Sequence, residues 1–118
     1  MPVSSHPAVP PVSSEIARAR KEAVPKTYES FRAFNREAFS EGKLDVKTKQ
    51  LIAVAAAHVT QCPWCIEGHT RQAIEAGAAR EEIMEAIWIA AEMRAGAAYA
   101  HSAIALEVIA NDAKQERR

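Results

Sequence analysis

Four absences narrow what this 118-residue chain can be. There is no surplus of charge: Lys and Arg total 15 and Asp and Glu total 15, so the formal net charge is zero. That removes the electrostatic basis for holding nucleic acid or an anionic membrane surface, and it leaves little repulsion to oppose self-association. There is no long apolar run, because the most apolar segment, LIAVAAA at 51–57, is far too short to span a bilayer. There is no strand pattern: β-branched residues are scattered, and no alternating run of four or more ends in a hairpin turn. Cysteine, finally, is nearly absent, with two residues only. The N-terminus carries no basic segment followed by an apolar core, so no secretory signal is expected. Two cysteines without such a signal point to a reducing cytoplasm, where a close pair is more often catalytic or metal-binding than structural.

What is present is helical. With 48% hydrophobic and 25% charged residues, the chain is sufficient for one globular domain with a core of its own. Residues 1–13, MPVSSHPAVPPVS, hold four of the six prolines and read as a flexible arm, or as a segment crossing a neighbouring subunit. Residues 14–118 form the domain. Ser14 can cap a helix over 15–24, which Pro25 ends. A second covers 26–40, with Phe31, Phe34 and Ala38 at helical spacing and Gly42 beyond its end. Asp45 can cap a third over 46–60, with Leu51, Ile52, Ala55 and Val59 inward. Pro63 suits the first position of a fourth, which ends at Gly77. A fifth covers 80–93, with Glu81 and Glu82 in its first turn, and Gly96 separates it from a sixth over 97–112. The fold class is therefore all-α, a bundle of about six helices. The last two are apolar around most of their circumference, which predicts subunit interfaces and an intertwined homo-oligomer.

The chemistry concentrates in QCPWCIEGH, residues 61–69. With Cys62 at the cap and Pro63 at the first helical position, both sulfurs lie by the first turn, where free N–H groups and the helix dipole favour thiolate. Cys65 and His69 are four apart on one helical face, so the imidazole can take the thiol proton directly or through a water. The expected roles are Cys65 as the thiolate that meets an oxidant and Cys62 as the thiol that closes the disulfide. The reverse order, as in thioredoxin-like proteins, fits the spacing as well. A thioredoxin-like frame would need a preceding strand, and haem attachment would need histidine where Ile66 stands. Two alternatives remain. His58, Cys62, Cys65 and His69 supply four possible zinc ligands, which would make an interaction module held by metal, and the pair could form a structural disulfide. The redox reading requires neither metal nor cofactor.

The run TKQLIAVAAAHVTQCPWCIEGHTRQAIEAGAAREEIMEAIWIAAEMRAG resembles the alkylhydroperoxidase D-like (AhpD-like) branch of the carboxymuconolactone decarboxylase family, over about residues 44–110. The resemblance implies an all-α fold assembled into trimers or hexamers. It implies a cysteine pair that reduces peroxides, or passes electrons to a peroxiredoxin after reduction by a lipoamide-type or other dithiol donor. Cys62 and Cys65 match the redox pair, and His69 matches the histidine of the proton relay. Gln50 stands where the family has its relay glutamate, and Trp64 where the characterised peroxidases have a second histidine. A glutamine can hold an imidazole but accepts no proton near neutral pH. The family also contains lactone decarboxylases, a lyase alternative, but these do not rely on a cysteine pair. Among residues near the motif, Glu67 is expected to be solvated, and Trp64 to be part core and part lid. Glu92 and Arg94 are expected to form a buried pair or to stand behind the site, and His101 to be a core histidine.

Overall fold

A computed structural model describes residues 6–117, so the first five residues of the proline-rich arm lie outside the described residues. The order is α1 (Ser14–Ala23), α2 (Pro25–Phe39), α3 (Val46–Thr60), α4 (Pro63–Glu75) and α5 (Arg80–Glu116). No strand occurs among the described residues. Three of the helices, α1, α3 and α4, start at a side chain that accepts one of their free N–H groups. Ser13, one residue before the expected cap, accepts the Ile16 N–H at 3.1 Å to start α1. Pro25 both ends α1 and opens α2. Asp45 accepts the Thr48 N–H at 2.8 Å, the cap expected for α3. The end of α2 is secured from α3, where the Lys49 ammonium donates to the Ala38 carbonyl at 3.0 Å and also to that of Ser40.

α3 packs against α4 and α5, whereas α2 lies on α3 and α1 touches α2. The core is small: Val54, Ala73 and Ile83 are buried, with Leu51, Ala78 and Ile87 against them. The buried residues of α3 are Gln50, Val54 and Ala57, spaced by four and three. Ile52 and Val59, expected to face inward, are exposed. The helix is apolar on most sides, so periodicity alone did not select the face turned to α4 and α5.

The fifth and sixth helices expected on either side of Gly96 are one helix of 37 residues, roughly 55 Å long at 1.5 Å per residue. An interior glycine costs a helix only about 1 kcal/mol relative to alanine, and the alanines and Met93 around Gly96 propagate it. A Cβ at residue 96 would meet only the flexible Glu92 carboxylate, at 3.4 Å. At the start of α5, Ala79 has no side-chain acceptor, but Glu82 accepts the Ala79 N–H at 2.9 Å and pairs with Lys47 at 2.9 Å. Gly77, at φ 95°, makes the turn that precedes it.

The chain is far from spherical. Its radius of gyration is 20.6 Å, against about 13–14 Å for a compact chain of this length. Its surface is 9483 Å², about half as large again as the roughly 6,300 Å² of a folded monomer of this mass. The excess is apolar: Phe31, Phe34, Trp88, Ile104 and Ile109 are all more than half exposed. No helix among the described residues is long and apolar enough to cross a membrane.

Continuity of α5 has a direct test. Gly96→Ala should stabilise the protein by about 0.5–1 kcal/mol in urea unfolding, because it removes the entropic cost of an interior glycine. A loss of stability would place residue 96 outside a regular helix.

Candidate active site

Two residues, Gln61 and Cys62, join α3 to α4. Gln61 adopts a left-handed conformation, φ 58° and ψ 45°, and the chain turns so sharply that the Cys62 N–H reaches back to the Ala57 carbonyl at 3.2 Å. Cys62 is thereby set as the cap of α4, with Pro63 next. Its sulfur accepts the Cys65 N–H at 3.3 Å, so a thiol takes the place usually held by a serine or aspartate oxygen.

This geometry separates the two sulfurs electrostatically. The Cys62 thiol is held below its ordinary value by hydrogen bonds from the Cys65 side chain and from the Cys65 and Trp64 backbone N–H groups. Cys65 is pushed up, first because it donates its proton to Cys62, then by burial and by the Cys62 charge. The helix start thus favours ionisation of one sulfur, not both. Cys62 is the more acidic of the two, and Cys65 is the thiol that donates to it. Both are half-buried and not bonded to each other.

His69, one turn beyond Cys65 on α4, is where three helices meet. Its ring stacks on Phe39 at the end of α2, with centroids 5.0 Å apart and planes inclined by 22°. Its Nδ1–H donates to Gln50 Oε1 of α3 at 2.8 Å. Gln50 is only 3% exposed, and its Nε2 donates to Gln72 Oε1 at 2.9 Å. Burial lowers the His69 pKa, which keeps the ring neutral at neutral pH. The ring therefore rests as a base.

The structure brings Gln50 and His69 into contact, and Cys62 and Cys65 into contact. It does not gather the four zinc-ligand candidates: His58 Nδ1–H donates to the Val54 carbonyl of its own helix at 2.7 Å. No group of three or more His, Cys, Asp or Glu among the described residues could hold a metal ion. Trp64 is half exposed, and its indole N–H donates to the Pro10 carbonyl at 3.1 Å, while Val9 is buried. That part of the arm lies along α4. Glu67 pairs with Arg71 one turn on, at 3.1 Å. Glu92 and Arg94 are exposed rather than a buried pair, and Arg94 donates to the Val59 carbonyl at 2.8 Å. His101 is exposed on the distal half of α5. Sequence reading missed Phe39, which no spacing signalled, and Gln72, which its position three residues after His69 could have revealed.

A five-helix chain whose fourth helix is capped by one cysteine of a close pair defines an all-α protein with a dithiol site. Residues 25–108 match the model of the carboxymuconolactone decarboxylase family, and the chain belongs to that family. It is 64% identical over 81 residues to uncharacterised protein 4 of the cox locus of Paracoccus denitrificans, covering 69% of this chain and 73% of that one. A solved structure from Methanobacterium thermoautotrophicum is similar, with a TM-score of 0.67 at 39% identity over 70% of this chain and 92% of its own. So is a carboxymuconolactone decarboxylase family protein from Legionella pneumophila in its apo form, at 0.62 and 39% identity over 68% and 70%. A family member from Thermotoga maritima with a suggested part in antioxidative response is similar at 0.54 and 38% identity, over 55% and 67%.

The asymmetry of the pair is measurable. Iodoacetamide labelling resolved by mass spectrometry across pH 6–9 should modify Cys62 before Cys65, with Cys62 titrating below an ordinary thiol. Cys65→Ala should move that titration upward, since it removes the side-chain donor. Equal labelling of both residues would contradict the assignment.

Proposed function

We propose that the protein is a dithiol oxidoreductase of the AhpD-like kind, which reduces hydroperoxides with two electrons drawn from a dithiol donor, or passes those electrons to a disulfide partner. The observation that carries this reading is the capped pair: Cys62 at the helix start with its acidity raised by the Cys65 N–H and side chain, Cys65 beside it, and a neutral imidazole one turn beyond. The suggested antioxidative role of the similar Thermotoga maritima protein points the same way.

In the cycle, the Cys62 thiolate attacks the terminal oxygen of the hydroperoxide. The O–O bond breaks, a sulfenic acid forms, and the departing alkoxide takes a proton from water to leave as alcohol. The Cys65 thiol then attacks the Cys62 sulfur, its proton passing to His69 Nε2 and on to the departing hydroxide. One S–S bond and one water result. The donor dithiol regenerates the pair by two exchange steps and becomes a disulfide itself. This cycle takes the reverse of the order favoured by helical neighbourhood, supported by the hydrogen bonds that lower the pKa of Cys62 and raise that of Cys65. Gln50 orients His69 and accepts no proton. A groove of about 450 Å³ beside the motif, lined in part by Ala8, Val9, Pro63 and Ile66, suits the apolar part of an organic hydroperoxide.

Purified protein screened with peroxides and dithiol donors tests this. Cys62→Ser should abolish sulfenic acid formation and turnover. Cys65→Ser should form a stable sulfenic acid at Cys62, trapped by dimedone, and lose turnover by 100-fold or more. Retained activity in both variants would sink the redox reading and favour a lyase on the same fold.

The same reading includes a homo-oligomer, a trimer or hexamer, in which copies of the chain cover the apolar faces of α2 and α5. The excess surface of the single protomer supports it. Sedimentation should give an integral multiple of 12.9 kDa. Trp88→Glu, which places a charge on an exposed apolar position of α5, should shift the distribution toward smaller species; a wild-type monomer would refute assembly.

A further inference from the structure

We propose that Gln72 is a positioning residue that selects the tautomer of His69, acting through Gln50. The proposal rests on the dithiol reading for its catalytic consequence, but its structural content stands apart from it.

The three side chains form a directional chain. Gln72 presents its carbonyl oxygen, Gln50 donates its Nε2 to that oxygen at 2.9 Å, and Gln50 Oε1 then faces His69 Nδ1 at 2.8 Å. An amide has one donor end and one acceptor end. Once the Gln50 nitrogen is committed to Gln72, only its oxygen can face the ring, so Nδ1 must carry the hydrogen. Nε2 is then left with its lone pair free. Were the chain reversed, Gln50 would present its nitrogen to the ring, Nδ1 would be an acceptor and Nε2 would carry the hydrogen. The same ring in the same place would then have no base at the Nε2 edge. Which tautomer prevails is set by the hydrogen bond at the opposite nitrogen.

Gln50 cannot fix this polarity alone, because its two ends are nearly equal in shape. Its near-complete burial holds it between two partners, and His69 in its neutral form can satisfy either end. In the structure the outer partner turns its Oε1 toward Gln50, and a residue there that can only donate or only accept would impose one direction on the chain. Gln72 is exposed, on the same face of α4 as His69, so its identity can change without opening the core.

The test uses the full-length protein and imidazole nitrogen spectroscopy, read by long-range ¹⁵N–¹H correlation. Wild-type His69 should appear as the Nδ1–H tautomer. Gln72→Glu, which can only accept, should keep that tautomer. Gln72→Lys, which can only donate, should turn Gln50 around and convert His69 to the Nε2–H form, with disulfide formation between Cys62 and Cys65 slowed about tenfold or more. Gln72→Leu should give a mixture of both forms. Circular dichroism and the Phe39–His69 ring contact in nuclear Overhauser spectra establish that each variant is folded. An unchanged tautomer in both Gln72→Lys and Gln72→Leu overturns the proposal. A tautomer that changes as expected in a protein with no dithiol turnover upholds it and refutes the proposed function instead.

Discussion

The buried amide of Gln50 is the constraint on which the arrangement of this protein turns. It is the one polar residue among the buried positions of the described residues, in a core otherwise made of valine, alanine and isoleucine. A buried amide without partners costs several kcal/mol in an apolar surrounding, so its two hydrogen bonds to α4 are obligatory. They set the register of α3 against α4 more narrowly than Val54 and Ala73 could, since apolar contacts tolerate sliding and hydrogen bonds do not. The same two bonds hold the imidazole that the chemistry needs. Packing and site geometry are a single interaction.

The thiol pair is built on different principles. Its asymmetry comes from the helix start, where Cys62 replaces an oxygen acceptor and receives the N–H groups that a serine cap would receive. The left-handed Gln61 makes this possible, because it lets the chain leave one helix and begin the next with Cys62 already in an extended conformation. A cap that is a cysteine ties the acidity of that thiol to the folding of α4. In the proposed cycle, reduction and oxidation of the pair act on the first turn of that helix directly.

Much of this was legible in the sequence wherever the cause was local. Asp45 before an apolar run and Pro63 after Cys62 each depend on neighbours within one turn. The family and the all-α class were legible for the same reason, since the motif and its following helix are contiguous. What was not legible depended on partners far along the chain. The inward face of α3 is chosen by α4 and α5, and an all-apolar helix offers no period to read it from. Gly96 looked like a boundary because glycine is a weak helix former, yet a cost near 1 kcal/mol does not break a helix supported on both sides. The order of acidity in the pair was left open by the spacing, because it depends on the Cys65 N–H reaching the Cys62 sulfur, a matter of angle.

A hydrogen-bond chain that runs from His69 through two amides has no far end at which a proton can be unloaded. In the proposed cycle, the proton that enters His69 at Nε2 must leave by the same edge. The ring is then a shuttle with one door, whereas a glutamate at residue 50 would make it a corridor with two. Turnover in such a site is governed by how readily water or buffer reaches that single edge. Catalytic speed is then a property of the surface around His69 more than of the interior behind it.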